Sequence, residues 1–174
     1  MKYFFTSDEH YGHFNIISYC QRPFVDTEEM DNSLIARHNE VVGVDDVVYH
    51  LGDFTLKDND IAQNYIRRLS GKHIFLKGSH DNWLPNDYQK ILELKIDDQY
   101  LVLCHYAMKV WSRSHYNSWQ LFGHSHGYLE EAGKQLDVGV DTNNFYPYSF
   151  EEIKKIMNKK EDNFNKVQIH EKRN

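Results

Sequence analysis

Five places in the chain set acids and histidines at intervals that suit divalent metal binding. Asp8 and His10 stand two apart in Ser7-Asp8-Glu9-His10, an interval that puts both side chains on one side of an extended chain. Asp53 follows a glycine in Gly52-Asp53, where the backbone can turn closely and two carboxylate oxygens can face two cations. Gly78-Ser79-His80-Asp81 offers a hydroxyl, an imidazole and an acid able to orient that imidazole, which makes His80 a candidate proton donor with Asp81 behind it. His105 stands alone, and Gly123-His124-Ser125-His126 again sets two histidines two apart. Of the chain's 11 histidines, His10, His80, His105, His124 and His126 are all explained by one clustered metal site.

Such a cluster needs elements that end together. Five short apolar segments run into these turns: Tyr3 to Phe5, Val47 to Tyr49, Ile74 to Leu76, Leu101 to Leu103 and Trp119 to Phe122. Each reads as a buried strand. Thr27 as N-cap, early acids, and Met30, Leu34 and Val41 near helical spacing predict a helix between the first two strands. Further helices are expected from Ile61 to Leu69, stopping before Gly71, and from Glu151 to Met157, capped by Ser149. Strands alternating with helices give an α/β fold whose functional groups stand at strand ends.

The 174 residues suit one ordinary domain, expected over 1–157, with a polar tail at 158–174 in which Val167-Gln168-Ile169 reads as one more strand. No stretch approaches the roughly 18 apolar residues of a membrane span, and two cysteines without metal-type spacing, Cys20 and Cys104, point to reduced thiols in the cytoplasm. A net charge of −6 argues against a long nucleic acid partner. The stretch from Lys154 onward is the basic exception, best read as a solvated helix end and tail.

Taken in order, Asp-x-His, Gly-Asp, Gly-x-His-Asp, His and Gly-His-x-His resemble the five motifs of the calcineurin-like metallophosphoesterases, over Tyr3 to about Val140. Tyr49-His50-Leu51-Gly52-Asp53-Phe54 and Leu136-Asp137-Val138-Gly139-Val140-Asp141 further resemble a small bacterial and phage branch without capping domains. The resemblance implies a four-layer α/β/β/α sandwich, two mixed sheets flanked by helices. It implies that Asp8, His10 and His126 hold one metal, that His105 and His124 hold a second, and that Asp53 bridges them. Ser79 stands where the family has Asn, which puts a shorter oxygen donor at the second metal. The family binds Mn, Fe, Zn, Ni or Mg; imidazole with carboxylate and no thiolate is compatible with manganese, iron or zinc, of which manganese is the expectation.

The expected activity is hydrolysis of a phosphodiester or phosphomonoester, with a small nucleotide favoured, through a hydroxide bridging two metal ions. Arg22, Asn15, Arg113 and His115 are candidate substrate contacts, the arginines as donors to phosphate oxygens. Two alternatives stand beside it: a nuclease on short single strands, and a metal-binding scaffold with little catalysis, which Ser79 would favour.

Overall fold

The computed structural model describes residues 1–167. Two four-stranded mixed sheets face each other. The first is built from β1 (Tyr3–Thr6), β2 (Val47–His50), β3 (Lys72–Phe75) and β8 (Tyr148–Ser149), in the order β3-β2-β1-β8, with β8 alone antiparallel. The second is built from β4 (Ile91–Ile96), β5 (Gln99–Cys104), β6 (Trp119–Phe122) and β7 (Gln135–Asp137), in that order, with the edge strand β4 antiparallel to β5.

Alternation along each strand explains the layers. Phe5, Tyr49 and Leu51 of the first sheet meet Leu101, Leu103, Trp119, Leu121 and Leu136 of the second in one buried core. Phe4 and Val48 point the other way, where they pack on Val42. Helices α1 (Phe14–Tyr19), α2 (Thr27–Val41) and α3 (Asn59–Ile66) supply Ile16, Met30, Leu34 and Ala62 to a second cluster with Tyr11 and Phe54. Helix α4 (Phe150–Met157) adds Phe150, Ile153 and Met157 to the core between the sheets.

On the outer face of the second sheet two buried glutamines stand among apolar side chains such as Val102 and Phe122. Gln120 and Gln135 lie opposite each other in the ladder and bond side chain to side chain at 2.6 Å. They also exchange hydrogen bonds with Tyr106 O, Met108 N and Met108 O. A buried amide pair is tolerable only when satisfied in this way.

Element ends differ from the sequence expectation for local reasons. Asp26, one residue before Thr27, caps α2 by accepting from Glu29 N at 2.9 Å. Asp58 caps α3, which starts earlier than expected and ends at Ile66 because the next residues form tighter i to i+3 turns. Ser149 caps α4 in a reciprocal box with Glu152, as expected. The strand expected at Val167 to Ile169 falls, from Gln168 onward, outside the described residues.

Candidate metal centre

The C-terminal ends of β1, β2, β3, β5 and β6 point to one edge of the sandwich. The sheets are tied there by a bridge between Ser7 and Gly139 and by Val140 N donating to Ser7 O at 3.0 Å. Asp8 N donates to Gly52 O and Gly123 N to His105 O, each at 3.0 Å, so the five motif turns lie against one another. Gly123 is required by this approach, since a Cβ there would overlap Ser7 Oγ and Asp8 Oδ2.

The extended geometry expected for Asp8 and His10 is not what brings them together. Both are left-handed, at φ 60° and 52°, as are Asp53 at 57°, His124 at 69° and His126 at 48°. For residues other than glycine such backbone costs on the order of 1 kcal/mol or more each, and its concentration here is typical of a functional site. The left-handed turns aim successive side chains at one point, which a strand cannot do.

Asp8, His10 and His126 each bring a ligand atom within 4.8 Å of the others, and so do Asp53, His105 and His124. Asp53 joins the two groups: its Oδ2 lies 3.8 Å from His10 Nε2 and 3.3 Å from His105 Nε2. Asp8 Oδ1, His10 Nε2 and His105 Nε2 are buried without any hydrogen-bond partner, half of the six such atoms among the described residues. Buried polar atoms are nearly always partnered, and three orphans divided between two ligand groups that meet at Asp53 fit bound cations. Burial pushes the Asp8 carboxyl up to about 7 and the His10 ring down to about 3. Burial also opposes charge on Asp53, but the close His105 ring, the His80 N–H and the charges around it hold the carboxyl well below its ordinary range. The anionic Asp53 carboxylate and the neutral His10 ring are donors a divalent ion takes, and an ion at the cluster would displace the protons that His105 and His126 gain from their carboxylate neighbours.

Three imidazoles are oriented from behind. His105 Nδ1 bonds Leu51 O at 2.9 Å, His126 Nδ1 bonds Asp141 Oδ2 at 2.7 Å, and His10 Nδ1 meets His13 Nδ1 at 3.3 Å. Such outer partners fix ring orientation and tautomer in metal sites. Burial works against charge on His126, yet the bond to Asp141 lifts its ring to about 10.

Arg22 is not available to substrate. Its guanidinium, with the side chain 0% exposed, pairs with both oxygens of Asp141 at 2.8 Å and donates to Asp8 O and Glu9 O. Every strong donor direction is spent inside the protein. Arg113 and His115 precede β6 at the opposite end of the sheet, where Arg113 covers the Tyr100 ring at 4.0 Å and His115 lies against Tyr116. They are far from the strand ends that carry His105 and His124. Asn15 does line the cavity over the cluster, about 480 Å³ in volume, together with His80, Tyr19 and Tyr128.

Asp81 does not hold His80. Its carboxylate accepts from Asp53 N, Phe54 N, Gly78 N and Trp83 Nε1 at 2.8 to 3.0 Å, tying the second and third motif turns together. His80 instead stands half exposed in the cavity, with Nε2 4.0 Å from Asp53 Oδ2. Ser79 Oγ donates to Asp53 Oδ2 at 2.9 Å, so the serine reaches the cluster through that carboxylate.

Sequence spacing gave no signal for His13 or for the role of Asp141, since both act through a neighbour's ring. Cys20 also comes within 4.8 Å of His126 and Asp141, but Asp141 is already engaged by Arg22. Among the described residues no helix is long and apolar enough to cross a membrane.

No family model matches the chain. The uncharacterized protein MJ1445 of Methanocaldococcus jannaschii is 31% identical over 167 residues, which are 91% of this chain and 92% of that protein. The crystal structure of AQ665 from Aquifex aeolicus, described as of unknown function, superposes with a TM-score of 0.69 at 24% identity, covering 89% of this chain and 98% of that one. A Streptococcus pneumoniae protein described as a predicted phosphoesterase matches with a TM-score of 0.44 at 17% identity, over 79% of this chain and 70% of its own.

Proposed function

We propose that the chain, which belongs to one family with the Methanocaldococcus jannaschii protein, is a calcineurin-like metallophosphoesterase, and that residues 1–157 form a single metal-dependent phosphoesterase domain. Its substrate is a phosphodiester or phosphomonoester, a small nucleotide by preference, and its metals are two divalent ions, manganese first. Asp53 carries this reading, because its Oδ2 stands within 4 Å of one imidazole nitrogen from each of the two ligand groups.

Asp8, His10 and His126 would hold one ion and His105 and His124 the other, with Asp53 between them. The ions, when bound, supply an activated water and screen the charge of the phosphate. His105 and His126 keep their Nδ1 protons on Leu51 and Asp141, so their Nε2 lone pairs face the cluster. The half-exposed His80 is free to carry a proton to the leaving oxygen at the cavity mouth. Two free cysteines support a reducing compartment, the cytoplasm.

One observation favours a weaker enzyme or a binding scaffold: the Ser79 hydroxyl is used on Asp53. Turnover decides between them. Metal-stripped protein should hydrolyse bis-p-nitrophenyl phosphate or p-nitrophenyl phosphate on addition of Mn²⁺. No turnover with two ions bound would favour the scaffold.

A further inference from the structure

We propose that His13, outside the five motifs, is a phosphate-positioning residue whose cavity-facing nitrogen is fixed as a proton donor by the metal centre itself. The proposal rests on the metal-dependent phosphoesterase reading and extends it to the residue that receives the substrate's oxygens.

The bonds behind the cluster set the protons. Leu51 O and the Asp141 carboxylate accept hydrogen bonds, so His105 and His126 hold their protons at Nδ1 and turn Nε2 lone pairs inward. His10 Nε2 is equally buried, has no partner and lies 3.8 Å from Asp53 Oδ2. To offer its lone pair to a cation, His10 must also carry its proton at Nδ1 and donate it to His13 Nδ1 at 3.3 Å. His13 then accepts at Nδ1, and the one proton of its neutral ring sits on Nε2.

His13 lines the cavity, and among the described residues its Nε2 makes no hydrogen bond. His13 is partly exposed, sits at the N-terminal boundary of α1, and is anchored by its own N–H donating to His10 O at 3.0 Å. It lines the same cavity as His80, with ring centroids 6.5 Å apart. Among the described residues no lysine or arginine lines that cavity. Phosphate oxygens turned away from the metals meet the N–H and O–H donors of the lining side chains, and of these His13 is the one whose tautomer His10 sets.

Zinc and inorganic phosphate serve as probes in calorimetry of the metal-stripped and Zn²⁺-loaded protein. In His13→Asn the side-chain oxygen can stand where Nδ1 stood and accept from His10, while the donor in the cavity is lost. We expect His13→Asn to bind Zn²⁺ like the native protein and phosphate about tenfold more weakly. His13→Ala should also weaken Zn²⁺ binding by roughly tenfold or more. Nitrogen-15 NMR of histidine-labelled, Zn²⁺-loaded protein should find His13 protonated at Nε2. Native phosphate affinity in His13→Asn, or a proton at His13 Nδ1 in the loaded protein, would overturn the proposal. Failure of the phosphoesterase reading looks different: no ester is turned over by native protein, while the phosphate-binding loss in His13→Asn persists.

Discussion

Arg22 and Asp141, 119 residues apart, meet as a planar two-bond pair, Nε to Oδ1 and Nη2 to Oδ2 both at 2.8 Å, and the same Oδ2 accepts from His126 Nδ1 at 2.7 Å. The arginine thus acts on the cluster from behind, through an acid and then a ligand. Removing one partner of a buried ion pair costs about 3 to 5 kcal/mol, because the other charge is left without compensation. Arg22→Met should lose stability of that order in urea denaturation and bind metal some 10- to 100-fold more weakly. A variant with native stability and only a raised KM would instead make Arg22 a substrate contact.

His80 and Asp81, adjacent in sequence, should separate in experiment. His80→Ala is expected to keep both metals and lose about 10²- to 10⁴-fold in turnover. Asp81→Ala strands four donors, three of them backbone N–H groups of the site turns, and should cost on the order of 3 kcal/mol or more in stability. If Asp81→Ala were stable and reproduced only the kinetic defect of His80→Ala, the two would be a catalytic pair after all.

Ser79→Asn lengthens the side chain by one carbon and adds a carbonyl oxygen. The hydroxyl now rests on Asp53, so an asparagine reaching past it should tighten the weaker of two Mn²⁺ binding steps in calorimetry. Unchanged metal affinities and rate would mean that serine already serves as well.

A buried histidine cluster lies away from the metals. His50 Nδ1 meets Glu9 Oε1 at 2.6 Å, His50 Nε2 meets His73 Nδ1 at 2.9 Å, and His38 Nε2 donates to Ser70 O at 2.9 Å. Glu9 is raised to about 8 by burial and His50 lowered to about 3, so between the unfolded values of 4.5 and 6.5 the pair holds one proton in both the folded and unfolded chain and adds no slope with pH. His38 and His73 remain, each held down to about 4 chiefly by burial. Above the unfolded value near 6.5 they are neutral in both states. As pH falls below it the unfolded chain takes up protons that the folded one refuses, so stability declines toward pH 4. From pH 7 to 5 the loss is about 2 kcal/mol for His38 and somewhat less for His73. With a chelator present to remove metal effects, His38→Gln should flatten this decline relative to native; an identical slope would show that His38 protonates freely in the fold.

The five motif strands and three of the helices were legible because each carries a local signal: an apolar run, a cap or a glycine stop. Helix α1 has no side-chain cap, and β7 and β8 are three and two residues long, too short for periodicity to register. In β4, Leu92, Leu94 and Ile96 do alternate inward, so that signal was present. The ligand residues were visible as types and spacings, but their geometry was not, because left-handed turns at Asp8, His10 and Asp53 depend on tertiary hydrogen bonds to distant loops. For the same reason Arg22 read as a phosphate donor and Asp81 as a partner for its neighbour. Only the folded chain brings Asp141 to the one and the Asp53 turn to the other.

Two ions are expected, one on either side of Asp53. Anomalous diffraction from crystals soaked in Mn²⁺ tests it directly. Two peaks are expected, one among Asp8, His10 and His126 and one beside His105 and His124, with Asp53 touching both. A single peak, or ions bound elsewhere while these side chains stay unliganded, would contradict it.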